Sequence, residues 1–191
     1  MAVLTIVYDS CTLYSAPLRD LLMHLALTDL FRAKWTENIH EEWMRNVLTN
    51  RPDLSIKRLE KIKGLMNAHV RDCLIEGHES LIPTLFLPDE NDRHVLAAAI
   101  HGNADTILTY NLKDFPKEIL NQYSIEAQHP DEFIAQLIEA SPSIVCSAIH
   151  RLRISLKNPP ICLRDYLSML ERQSLPRTVS LLQTYLINDL I

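Results

Sequence analysis

Glycine is scarce in this chain: Gly64, Gly77 and Gly102 are the only three among 191 residues. Sandwiches and barrels of short strands turn often and draw on glycine to do so, so the scarcity favours helices. Cysteine is equally thin. Cys11, Cys73, Cys146 and Cys162 form no Cys-x-x-Cys pair, which argues against structural zinc and against a disulfide framework. The eight histidines show no metal-ligand spacing beside a cysteine. No apolar run approaches the roughly 20 residues of a membrane helix. The N-terminus shows neither a basic n-region nor a cleavage site, so the expectation is a cytoplasmic protein with no membrane partner. An excess of positive charge is also missing. The formal net charge is −5, which excludes a general nucleic-acid coating role.

What is present describes a globular chain: 47% hydrophobic and 23% charged residues. Residues 2–8, 31–35, 105–109 and 124–127 are short and apolar enough for strands. Pro17 opens a helix carrying Leu18, Leu21, Leu22, Leu25 and Leu30. Thr36 reads as the N-cap of a helix over 37–48, and a further helix from about Leu54 to Val70 points Ile56, Leu59, Ile62, Leu65 and Met66 inward. A helix near Glu90–Ala99 stops at Gly102. This alternation predicts an α/β unit with a parallel sheet, which brings the carboxyl ends of the strands to one edge. Beyond Pro130 everything reads as helix: about 133–140, 143–156, 163–172 and 175–190. The domain division expected is therefore 1–130, then an all-helical extension at 131–191.

Four carboxylates border the core segments. Asp9 ends the run Ala2-Val3-Leu4-Thr5-Ile6-Val7-Tyr8. Glu42 lies beside the buried face of its helix, with Glu41 as a rival. Asp92 opens an Ala-rich helix, and Asp114 follows Thr109-Tyr110-Asn111. Asp9, Asn111 and Asp114 each fall just past a strand, at the edge where open α/β sheets bind ligands. Acids gathered there repel each other unless a cation lies between them, which points to a hard divalent metal and phosphate-ester chemistry. Position 11 is Cys, which disfavours a phosphoaspartate mechanism requiring Asp-x-Asp. Charge is unevenly spread. Residues 45–71 hold seven Lys or Arg against Asp53 and Glu60, and residues 141–164 hold four basic residues and no acid. Two solvated helix faces, or a basic rim for a phosphate backbone, both fit.

Together the strand ending in Asp9, the Ile39-x-x-Glu42 pattern, Asp92 before an Ala-rich helix, and the Thr-x-Asn-x-x-Asp-Phe stretch at 109–115 resemble the PIN-domain family. These are metal-dependent ribonucleases that include VapC-type toxins. The resemblance covers about residues 1–128, and the helical tail resembles the extension of a longer subset of VapC-type toxins. It implies a PIN-like three-layer α/β fold with a short central parallel sheet flanked by helices. It also implies an endoribonuclease whose Asp9, Glu42, Asp92 and Asp114 hold Mg²⁺ or Mn²⁺, with Ser10 and Asn111 as auxiliary residues. Many members carry Asp where this chain has Asn111, which weakens a second metal position. RNA is the implied substrate and an antitoxin the implied partner, with homodimerisation in keeping with the family. Lys57, Arg58, Lys61 and Lys63 are candidate RNA-backbone contacts. The alternative is a PIN-fold RNA- or protein-binding module that no longer cuts.

Overall fold

The computed structural model describes residues 3–187. In chain order its elements are β1 (Thr5–Tyr8), α1 (Ser10–Tyr14), α2 (Ala16–Ala26), β2 (Arg32–Lys34), α3 (Glu37–Asn50), α4 (Ile56–His69), α5 (Arg93–His101), β3 (Thr106–Leu108), α6 (Lys117–Leu120), β4 (Glu126–Gln128), α7 (Pro130–Ala140), α8 (Pro142–Ser155), α9 (Leu163–Glu171) and α10 (Pro176–Ile187). Short 3₁₀ turns at Glu79–Thr84, Glu90–Asp92, Leu112–Asp114 and Asn121–Tyr123 fill the connections. They divide into two compact units, Met1–Tyr14 with Phe31–Gln128, and Ser15–Leu30 with His129–Ile191.

The first unit is built on a four-stranded parallel sheet in the order β2-β1-β3-β4. β1 is central and buried along its whole length, so its sequence is a continuous apolar run rather than an alternation. Val7 pairs with Lys34 on one side and with Ile107 on the other, and the strands end together at the carboxyl edge. The four expected strands occur, each shorter than its apolar run, the last at 126–128 rather than 124–127. α5 buries Val95, Leu96, Ala97, Ala98 and Ala99 completely. Small alanines let it lie close to the sheet, and it ends at Gly102 as expected.

α3 starts where Thr36 Oγ1 accepts the Ile39 amide at 3.1 Å, as its sequence foretells. Below it, polar groups buried with two tryptophans form a closed set. Trp43 Nε1 donates to His40 Nδ1 (3.0 Å), which leaves the proton on His40 Nε2 to bond Asn67 Oδ1 (2.9 Å). Trp35 Nε1 donates to that same oxygen at 2.8 Å. Burial pushes the His40 pKa down, in keeping with this neutral tautomer. α4 departs from expectation. Only Leu59 and Met66 are buried, while Ile56 and Leu65 stay 46% and 49% exposed. Two side chains seven residues apart make a narrow stripe, enough for a helix that packs mainly on α3.

In the second unit α2 packs with α8 and α9, and α10 packs on α7. α2 carries Leu18, Leu21, Leu22 and Leu25 inward as the sequence predicts, each fully buried and each stabilising by about 1.5–3 kcal/mol on area grounds, but it ends at Ala26, so Leu30 lies beyond the helix expected to carry it. The buried Asp131 carboxylate of α7 accepts the Arg177 and Thr178 amides at 2.9 and 2.8 Å, capping the exposed donors at the start of α10. Arg177 in turn bridges Glu132 and Glu139. Among the described residues no helix is long and apolar enough to cross a membrane.

Candidate active site

Asp9 is the first residue past β1 and is almost fully buried. Its Oδ2 is held by two donors, Thr109 Oγ1 at 2.7 Å and Cys11 Sγ at 3.0 Å. The Thr109 hydroxyl also accepts the Asn111 amide at 2.9 Å, and Cys11 sulfur accepts the Tyr110 amide at 3.3 Å. The end of β3 thereby positions the carboxylate at the end of β1. Burial first, then the charge of Asp9, push the Cys11 pKa up strongly, so the thiol stays protonated and serves as a donor rather than a nucleophile.

Glu42, on α3, is the member of the Glu41–Glu42 pair that turns inward. Its Oε2 accepts from His94 Nε2 at 3.1 Å, and the Ser10 hydroxyl donates to it as well. Burial opposes its charge, but the hydrogen bonds from His94 and Ser10, helped by the charges of His94 and Arg45, together hold its pKa below the usual value. Glu41 is exposed and points along the cleft wall.

Asp92 stands at the start of α5 and makes no capping bond. Asp89 caps the 3₁₀ turn just before it, its Oδ1 accepting the Asn91 amide at 2.9 Å. Asp92 is left 8% exposed with its buried Oδ2 unpartnered among the described residues. Burial, then the negative charges of Asp9, Asp89, Asp114 and Glu42, push its pKa from 3.8 to about 7. The acids contributing to that field come from four separate elements. Asp114, half-buried in the 3₁₀ turn after β3, belongs to it. Asn111 is exposed and lines the same open cleft of about 510 Å³ with Glu42, Asp92 and His94.

All four predicted acids are therefore gathered. Ser10 supports one of them and Asn111 stands at the rim. Sequence reasoning missed Asp89, His94, Cys11 and Arg45. Thr109 stood in the quoted motif with no role assigned to it. Lys57, Arg58 and Lys61 lie exposed on α4, away from the cleft lining, and Lys63 pairs with Glu37. Hard oxygen donors, an unpartnered buried carboxylate oxygen and mutual repulsion fit a divalent cation in chemistry. The side chains do not already form a cage: among the described residues no three His, Cys, Asp or Glu groups stand close enough to hold an ion.

A PIN-domain family model matches residues 5–113, the span that carries Asp9, Glu42 and Asp92 and ends one residue short of Asp114. The chain belongs to the PIN-domain family. Residues 130–184 match the model of the VapC50 C-terminal domain, so the PIN domain here is followed by a helical extension of a described type. The protein named "Putative ribonuclease VapC50" of Mycobacterium tuberculosis is 37% identical over 82 residues, which is 43% of this chain and 48% of that protein. The aligned part thus spans about half the length of the relative. No solved structure matches.

Proposed function

We propose that this PIN protein is a Mg²⁺- or Mn²⁺-dependent endoribonuclease of the cytoplasm and the toxin of a toxin–antitoxin pair. The nuclease chemistry belongs to residues 1–130 and the helices of 131–191 serve another role. The observation that carries the reading is the acidic cleft lined by Glu42, Asp89 and Asp92, where the buried Asp92 Oδ2 has no partner among the described residues and burial, then the neighbouring carboxylates, push the Asp92 pKa up to about 7. Such a cluster is unfavourable to folding and is explained by a cation it serves. The partial match to a ribonuclease of the VapC type supports RNA as substrate and an antitoxin as partner.

Asp9, Asp92, Asp114 and Glu42 would hold the ion. When bound, it supplies Lewis-acid stabilisation of charge at a scissile phosphate and makes water a stronger acid. The rest falls to the chain. Thr109 and Cys11 fix the Asp9 oxygen, and Ser10 and His94 fix Glu42 in its ionised form. Asp92 holds a proton near neutrality and releases it when positive charge arrives.

The test is incubation of the purified protein with total RNA, with and without Mn²⁺ and chelator, followed by mapping of cleavage ends. Cleavage that needs Mn²⁺ and vanishes in Asp9→Asn is expected. Cutting that ignores the chelator, or persists fully in that variant, defeats the proposal. Intact RNA together with no Mn²⁺ binding by calorimetry favours the non-cleaving module. For the partner, growth arrest on expression should be relieved by a small neighbouring open reading frame.

A further inference from the structure

Arg45 lies on α3, three residues after Glu42 and four after Glu41, so its Cα stands about 4.5 Å along the helix axis from that of Glu42. It lines the acidic cleft beside Glu41, Glu42, Asp89 and Asp92. It also lines a second, open groove of about 590 Å³, whose other residues include Met44, Leu48, Ile56 and Lys63 of α3 and α4, with the acids Glu37 and Glu60 on the same lining. Arg45 and Glu41 are common to both, which makes the two one continuous surface. Despite the carboxylates around it, the exposed Arg45 guanidinium forms no ion pair or hydrogen bond among the described residues. Lys63, the other cation of the groove, is pinned by Glu37.

A phosphodiester entering this cleft meets several negative charges, and a guanidinium at the mouth offsets them with two parallel donors matched to phosphate oxygens. The apolar floor of Met44, Leu48 and the half-exposed Ile56 suits the ribose and base of a neighbouring nucleotide. We infer that Arg45 binds the RNA phosphate flanking the scissile one, and that the strand leaves the cleft along the groove between α3 and α4. This inference rests on the ribonuclease reading.

The experiment uses the full chain carrying Asp9→Asn to prevent cutting, a labelled unstructured RNA of about 12 nucleotides, the length following from site sizes of single-strand binders, and Mn²⁺. Affinity is followed by fluorescence anisotropy against salt. Adding Arg45→Gln should weaken binding and make the slope of log K against log salt shallower by about 0.7, the signature of one lost single-strand phosphate contact. Arg45→Lys should restore the slope but not the full affinity. Arg51→Gln, on an exposed residue paired with Asp53 and outside both surfaces, should leave the slope unchanged. In the otherwise native enzyme, Arg45→Gln should raise KM about tenfold while kcat is retained. An unchanged slope, an equal loss in Arg51→Gln, or weaker Mn²⁺ binding by Arg45→Gln in RNA-free calorimetry overturns the inference while leaving the nuclease reading intact. No RNA binding with Arg45 present overturns the inference, and the nuclease reading is then decided by Mn²⁺-dependent cleavage in the native chain.

Discussion

Replacing Asp92 with Asn should stabilise the protein in the absence of metal, and the gain should depend on pH in a defined way. The folded carboxyl ionises near 7 where the ordinary value is 3.8. A shift of about three units corresponds to about 4 kcal/mol. The cleft is open to water, which screens part of this, so about 2 kcal/mol is a fair expectation. The folded pKa is the higher one, so between about 3.8 and about 7 the native state keeps a proton that the unfolded chain has released. Stability therefore falls as pH rises through that window and is flat above it. Asn mimics the protonated acid and removes the penalty. In chelator at pH 8, Asp92→Asn should melt about 4–8 °C above the parent, the range expected for about 2 kcal/mol in a chain of this size. At pH 4 the two should nearly coincide. Mn²⁺ should raise the melting temperature of the parent and leave the variant almost unmoved. Thermal unfolding followed by circular dichroism at both pH values, with and without the ion, reads all of this. A lower melting temperature at pH 8, or the same increment at both pH values, would refute the electrostatic reasoning and make Asp92 a packing residue.

Other sites give sharper structural tests. Asn111→Asp adds a carboxylate to the cleft lining; calorimetry should show tighter Mn²⁺ binding, and the metal-free protein should melt lower. Gly102→Ala would place a Cβ 2.7 Å from Ile75 Cδ1 and 3.0 Å from the Ala98 carbonyl; a loss of about 1–3 kcal/mol in urea unfolding is expected from this crowding. Asp131→Ala strips two acceptors from the start of α10; a loss of about 1–2 kcal/mol is expected from chemical denaturation.

The elements that proved legible were those whose signal is local. Thr36 announces α3 because an N-cap is a hydrogen bond between residues three apart. β1 is readable because a strand buried on both faces must be apolar throughout. α4 was misjudged because apolar spacing says which residues share a face, not how much of that face is covered: Ile56 and Leu65 share the stripe yet stay open to water. The four acids were singled out because each borders an apolar segment. Their supports were not. Thr109 meets Asp9 across 100 positions of chain, and His94 meets Glu42 across 52. Nothing local marks such pairings. Arg45 was counted within a basic stretch, yet its place beside the acids depends on the face of α3 it occupies rather than on the number of cations near it.

The acids are near enough to repel and too far apart to clasp an ion unaided, and one arrangement accounts for both. Asp9 is restrained by Thr109 and Cys11, Glu42 by Ser10 and His94, and Asp89 by Asn91. Those bonds fix carboxylates around a space without closing them on it. Among the described residues, Asp92 is the acid whose buried oxygen has no donor. A cation entering there gains chiefly from neutralising a shared field, with only modest help from preset geometry. Affinity governed by field strength weakens with screening, whereas affinity governed by a rigid cage does not. On the proposed ribonuclease reading, the remaining coordination would come from the substrate's own phosphate oxygens. Metal and RNA should consequently bind cooperatively here, each supplying charge that the other lacks.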